Sequence, residues 1–304
     1  MAKRIWFDTD IMIGLPERAP REVDDGITLI MALRQPEIEI VGISIITNVD
    51  YGHDVTRKLL GWYNKTGEDI PVYKGSDSAA DCGVENEATL ALAAALRKEK
   101  LSILALGPNT NIATVLKNHP ELADQIEEIA FCIGRTPDLE FRPGLGKKVV
   151  FDYNFDRDVE SMQVILDTNI PLVLSGFECS NDLFLGPVDI DRLNNDFEGD
   201  KWVYEQLLPW IKRGHELFGS EGFIPYDTTP LGYFTHPHMF SYHENIPAVI
   251  HTKPNDCIRP GIDERTEKPY LEVSYDFDSK RTVKYAYKAL PGFEEEVIKR
   301  LLGK

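Results

Sequence analysis

Short runs of apolar and β-branched residues alternate with stretches of helical spacing along the first part of the chain. Arg4–Phe7 predicts a strand, and Gly26–Arg34 a helix carrying Ile27, Ile30 and Met31. Ile38–Ile46 predicts a long strand, Val55–Asn64 a helix and Val72–Tyr73 a short strand. Glu87–Arg97, rich in Ala and Leu, predicts a helix, Ser102–Leu106 a strand, Asn111–Lys117 a helix and Ile129–Ile133 a strand. Val149–Phe151 as a strand, Val159–Leu166 as a helix and Leu172–Ser175 as a strand complete the series. This alternation implies a mostly parallel open α/β sheet with helices on both faces. The remainder reads differently. Asp200–Leu217 predicts a long amphipathic helix holding Trp202 and Trp210. Ala248–His251, Tyr270–Ser274 and Thr282–Tyr287 predict strands suited to an antiparallel flap, and Phe293–Leu302 a terminal helix. No Pro/Gly/Ser-rich linker, low-complexity tract or internal repeat interrupts the chain. It therefore reads as one domain over residues 1–304 with a C-terminal antiparallel and helical extension.

Composition narrows the function classes. The 304 residues are 42% hydrophobic and 27% charged, as in an ordinary globular protein, and a chain of this length buries a large core without staples. Thirty-three Lys and Arg against fifty Asp and Glu give a net charge of -17. Such a surface repels nucleic acid and anionic membranes, and suits a small neutral or cationic ligand or a bound metal cation. The start, MAKRIWFDTD, lacks the apolar stretch of a leader peptide, and no run approaches the roughly 18 apolar residues that span a bilayer. Cys82, Cys132, Cys179 and Cys257 are far apart, which predicts reduced thiols in a cytoplasmic protein.

Open α/β sheets bind ligands outside the carboxyl ends of their strands. Those ends collect polar residues here: Asp8 and Asp10, then Asn48, then Gly107-Pro108-Asn109-Thr110-Asn111, then Asp152 and Asn154. Asp24 and Asp25 open the first helix. Each alone has an ordinary structural explanation: helix-dipole charges at Asp24 and Asp25, an N-cap at Asn109, a turn at Asn48. Four neighbouring carboxylates together repel one another unless a cation sits among them, and an all-oxygen set favours Ca²⁺ or Mg²⁺.

Asp8-Thr9-Asp10 followed by Asp24-Asp25 resembles the D-T-D-x-x-x-D-D signature of the inosine–uridine nucleoside hydrolases. Ile40-Val41-Gly42-Ile43-Ser44 leading to Asn48 is similar to that family's second strand, and Ala105-Leu106-Gly107-Pro108-Asn109-Thr110-Asn111 to its A-L-G-P-x-T-N. Asp152-Tyr153-Asn154 with Asp158 and Glu160 resembles E-F-N-x-x-x-D-P-E, and Tyr226-Asp227 the late His-Asp pair. The resemblance spans most of the chain. It implies that Asp10, Asp25, Asp227 and the main-chain carbonyl of Thr110 ligate Ca²⁺, and that Asp24, Asp152 and Asn154 bind ribose hydroxyls. Asn48 would help order the sugar pocket and Asp8 brace the metal shell. Asp10 is the expected base toward water, and Tyr226 occupies the place of the group that protonates the leaving base. A homo-oligomer, dimer or tetramer, is expected by the same likeness. Carboxylates suit this chemistry, because breaking an N-glycosidic bond builds positive charge on the sugar.

The pattern departs from the family in several places. Residues 11–23, IMIGLPERAPREV, separate Asp10 from Asp24 where the signature has three positions. The insertion reads equally as a tolerated surface loop or as a lid or specificity loop, with Arg18 and Arg21 able to face a ligand. Tyr226 replaces His, and reads equally as a hydrogen-bond donor to the base or an aromatic wall, since a phenol is a weak acid near neutrality. Asp152 replaces Glu. Ile133-Gly134-Arg135 replaces Met-Gly-Gly, with Arg135 expected in a structural ion pair, to Asp152 or a neighbouring carboxylate. The segment after Lys74-Gly75 is short, which predicts a remodelled base side. Of the seven histidines, His53 lies nearest the expected pocket in sequence. The resulting expectation is a Ca²⁺-dependent N-ribohydrolase acting on a nucleoside. Beside it stand a hydrolase of another N-riboside, such as a modified nucleoside or nicotinamide riboside, and a non-catalytic Ca²⁺- and ribose-binding protein.

Overall fold

Nine strands form one sheet in the order β3-β2-β1-β4-β5-β6-β9-β7-β8 in the computed structural model, which describes residues 2–17, 19–146, 148–181 and 183–304. The strands are β1 Lys3–Thr9, β2 Ile38–Ile45, β3 Val72–Lys74, β4 Leu101–Ala105, β5 Ile126–Phe131, β6 Leu172–Ser175, β7 Phe240–Pro254, β8 Glu267–Val273 and β9 Thr282–Ala289. The helices are α1 Asp24–Leu33, α2 Val49–Tyr63, α3 Glu87–Leu96, α4 Thr110–Asn118, α5 Tyr153–Arg157, α6 Val159–Leu166, α7 Phe177–Ser180, α8 Pro187–Ile190, α9 Glu198–Phe218, α10 Thr228–Thr235 and α11 Phe293–Leu301.

β1 to β6 pair in parallel, so the expected α/β class holds. Successive side chains of β1 enter different cores, as a strand's period of two requires. Ile5 and Phe7 pack with Ile27, Leu59 and Leu207 on one face. Trp6 packs with Leu92, Ile112 and Met162 on the other. The order reverses between β1 and β4, and the ends of those two strands define the crevice where such sheets bind ligands.

Two expectations are corrected. The late strands pair antiparallel, β7 with both β8 and β9, but they are no separate flap. β9 lies parallel to β6 through Val173–Lys284 to Ser175–Ala286, so the extension continues the main sheet and shields β6 from being an edge. Val149–Phe151 is not a strand. Val150 makes a single antiparallel bridge to Phe141, across a reversal where Gly144 and Gly146 take φ of +62° and +68°. α2 also begins six residues earlier than the apolar spacing suggests, directly after Thr47 and Asn48, both left-handed at φ +61° and +50°. A β-branched residue in that region is strained, so the chain turns sharply at this strand end.

Candidate active site

The carboxyl ends of β1 and β4, the start of α1, the start of α10 and the 132–154 segment enclose a cavity of about 300 Å³. Asp10, Asp24, Asp25, Asp152, Asn154, Tyr226 and Asp227 line it, so most of the residues singled out in the sequence come together. Asp24, Asp25 and Asp227 each offer an oxygen within 4.8 Å of the other two, and all three are buried. Asp10 lines the cavity beside them, its burial and the Asp25 charge holding its carboxyl well above the usual range. Asp24 and Asp227 are driven the same way by burial, then by the charge of Glu22 on Asp24 and of Asp24 on Asp227, with Asp25 adding to both. Asp25 is pushed up to about 6 by burial, the Thr9 hydroxyl that donates to it acting in the opposite sense. Four buried carboxylates this close together, each with its pKa raised chiefly by burial, make a site suited to positive charge. Their all-oxygen character fits a hard metal cation.

The scaffold around them is dictated by a few contacts. Asp8 does not line the cavity. Its carboxylate accepts from the Ser44 hydroxyl and, at 3.0 Å, from Asn111 Nδ2, tying β1 to β2 and α4. Asn111 Oδ1 in turn accepts from Ser76 N at 2.9 Å. At Gly107 a Cβ would come within 2.7 Å of Ile46 and 3.1 Å of Asp10 N, so only glycine lets the β4 end approach Asp10. Asn154 Nδ2 donates to the Leu106 carbonyl at 2.7 Å, which leaves its Oδ1 for a ligand. Asp152 caps α5, and its other oxygen accepts from Gly134 N at 2.8 Å.

Other expected site residues lie outside the cavity wall. Thr110 is buried at the first turn of α4, its hydroxyl donating to Asp158. Asn48 touches Met12 Sδ at 3.4 Å, and Met12 is the residue that reaches the cavity. None of the seven histidines lines it, and His53 instead faces Asp54 at 3.1 Å. Arg135 pairs not with Asp152 but with Asp256 at 2.6 Å, almost fully buried, so its role is structural. The thiols are free, with Cys179 and Cys257 buried and Cys132 on the cavity wall.

Residues 5–284 match the family model described as inosine-uridine preferring nucleoside hydrolase. The chain belongs to that family. It is a nucleoside hydrolase, an enzyme that cleaves the N-glycosidic bond. The pyrimidine-specific ribonucleoside hydrolase of Klebsiella pneumoniae is 24% identical over 249 residues, covering 72% of this chain and 78% of that protein. The enzyme of the same description from Citrobacter koseri is also 24% identical over 249 residues, with the same coverage. Among solved structures, a plant nucleoside hydrolase superposes over 100% of both chains with TM-score 0.77 at 17% identity. The purine-preferring ribonucleoside hydrolase from Gardnerella vaginalis gives 0.74 at 18% identity, covering 99% of this chain and 98% of that one.

Two further elements, the insertion and α9, complete the wall of the nucleoside hydrolase cavity. Met12, Pro20, Arg21 and Glu22 of the insertion line it, so the 11–23 segment is part of the site; Arg18 lies outside the described residues. Trp210, Arg213, Gly214 and Leu217, one face of α9 at helical spacing, also line it. Phe141 stacks on Phe177 with centroids 4.2 Å apart, and Phe177 on Tyr226. No residue of the segment 76–84 lines the cavity. Of these, Arg21 and Tyr226 were singled out by sequence, whereas Glu22, Phe141, Phe177 and Arg213 were not. The 210, 213, 214, 217 spacing on an amphipathic helix was visible, but which element α9 faces was not. Among the described residues no helix is long and apolar enough to cross a membrane.

Proposed function

We propose that this enzyme is a Ca²⁺-dependent ribonucleoside hydrolase whose aspartate cluster holds the ion and whose Asp24, Asp152 and Asn154 hold the ribose. The observation that carries the reading is the meeting of Asp24, Asp25 and Asp227 within 4.8 Å, with Asp10 beside them and all four buried. Asp10, Asp25, Asp227 and the Thr110 carbonyl would hold the ion, and Asp24 would face both ion and sugar. A bound Ca²⁺ supplies acidification of water at the anomeric face and screens the carboxylates from one another.

The chain's own residues do the rest. Asp10 takes the proton of the attacking water. Asn154 Oδ1 and the carboxylates of Asp24 and Asp152 accept from sugar hydroxyls and fix the anomeric carbon in reach. The carboxylate-lined wall stabilises the positive charge that grows on the ribose as the bond to the base lengthens. Tyr226 and Phe177 close the base side and exclude water. The reading extends to one domain and to a cytoplasmic homo-oligomer, dimer or tetramer, which light scattering of the purified protein reports.

Metal analysis tests the cluster. Wild-type protein equilibrated with calcium and desalted should retain one ion per chain, and Asp25→Ala and Asp227→Ala should retain none. Undiminished calcium in both variants overturns the cage assignment.

A further inference from the structure

Two opposite charges face the cavity with nothing paired to them. Glu22 comes from the insertion and Arg213 from α9, and both line the cavity that Tyr226 also lines. They lie close enough to influence each other electrostatically, yet neither makes a hydrogen bond or an ion pair with another described residue. Arg21, next to Glu22 in the chain and the larger positive influence on it, is already engaged by Glu17 at 2.7 Å. The surrounding surface is flat and aromatic, from Phe141, Phe177 and Trp210. A carboxylate and a guanidinium left open beside aromatic faces form a polar reader for a planar heterocycle.

We propose that Glu22 and Arg213 are the specificity-determining pair for the leaving base, and that they select a 6-oxopurine, guanosine before inosine. The inference rests on the ribohydrolase reading and adds the substrate class. A guanidinium donates in a fork, and guanine offers it two adjacent acceptors, O6 and N7. A carboxylate accepts two N–H bonds, and guanine offers N1–H and the N2 amine side by side. Hypoxanthine keeps the O6/N7 edge and N1–H but lacks the amine. Adenine presents an amine where the guanidinium needs an acceptor, and uracil has one N–H between two carbonyls. Only guanine satisfies both charged groups twice.

The test is kcat/KM for guanosine, inosine, adenosine, uridine and 4-nitrophenyl riboside in the wild type, Glu22→Gln and Arg213→Gln, with calcium present. Guanosine should rank first among the nucleosides. Arg213→Gln should lower the guanosine to nitrophenyl riboside ratio by about 10- to 100-fold and carry inosine down with it. Glu22→Gln should narrow the preference of guanosine over inosine. Binding of free guanine and adenine, followed by tryptophan fluorescence through Trp210, gives a second readout that needs no turnover. Guanine should bind more tightly, and Arg213→Gln should weaken it. Hydrolysis of the nitrophenyl riboside with a flat base ranking, and equal binding of guanine and adenine, overturns the subsite and leaves the ribohydrolase standing. Preferential guanine binding without hydrolysis of any riboside upholds the subsite and overturns the ribohydrolase.

Discussion

Phe177 lies over Tyr226, with ring centroids 5.9 Å apart and planes 26° from parallel. The stack fixes the phenol as a face of the cavity wall. Burial, and then the charges of Asp24 and Glu22, push its pKa well above the usual phenol range. A group in that state holds its proton. On the proposed reading, Tyr226 walls the base side rather than acting as the acid toward the leaving group.

Tyr226→Phe should consequently change kcat for natural nucleosides by less than about threefold, where loss of a general acid costs roughly 10²-fold or more. Steady-state rates on a nucleoside and on the nitrophenyl riboside decide it. A large loss confined to the nucleoside, whose leaving group needs a proton, makes Tyr226 the acid.

The ribose side predicts strong discrimination at the 2′ position. Asp24 lines the cavity and Asn154 is clamped to the Leu106 carbonyl, so both are placed before the sugar arrives. A site built to pair with a hydroxyl leaves its polar groups unpaired when that hydroxyl is missing, at a cost of about 10⁴ in kcat/KM. Competition between a riboside and its 2′-deoxy analogue should show most of that factor in the wild type and little of it in Asp24→Ala. Equal turnover of both sugars by the wild type removes Asp24 from this role.

Asp152 ties stability to pH. Burial pushes its carboxyl up to about 6, despite the N–H of Gly134 donating to it. The folded protein thus holds this proton more tightly than the unfolded chain, whose carboxyl titrates near 4. The contribution to stability is complete below about pH 4 and is lost as pH rises through about 6. Asp152→Asn keeps an acceptor for Gly134 and has no charge to bury. It should melt with the wild type at pH 4 and be more stable at pH 7.5, by at most roughly 3 kcal/mol, while losing catalytic efficiency. Denaturant unfolding at the two pH values checks the sign. The same stability difference at both shows that Asp152 does not titrate in this window.

Most of the sheet was legible because β1, β2, β4 and β6 are short apolar runs bounded by polar turns, and each lands within one or two residues of its expected ends. Much of the site was legible as well, since Asp10 just past β1 and Asp24, Asp25, Asp152, Asn154 and Asp227 at helix starts all line one cavity. What stayed hidden depends on long-range pairing. The parallel contact of β9 with β6 joins residues over a hundred positions apart, and the 172–175 and 282–289 patterns say nothing about each other. Val149–Phe151 has the apolar content of a strand but no partner beyond Phe141. Arg135 finds Asp256, far along the chain, because β8 runs past it at Glu272. Glu22 and Arg213 were equally out of reach: one sits in an insertion without a pattern, the other on a helix whose cavity-facing side only the fold selects.

The account's central claim is tested most directly by ribose release from a riboside by chelated protein titrated with calcium. The prediction is no release in the chelated state, a saturable rise as calcium is added, and no rise in Asp25→Ala. Intact nucleoside at saturating calcium, or full release with chelator present, contradicts it.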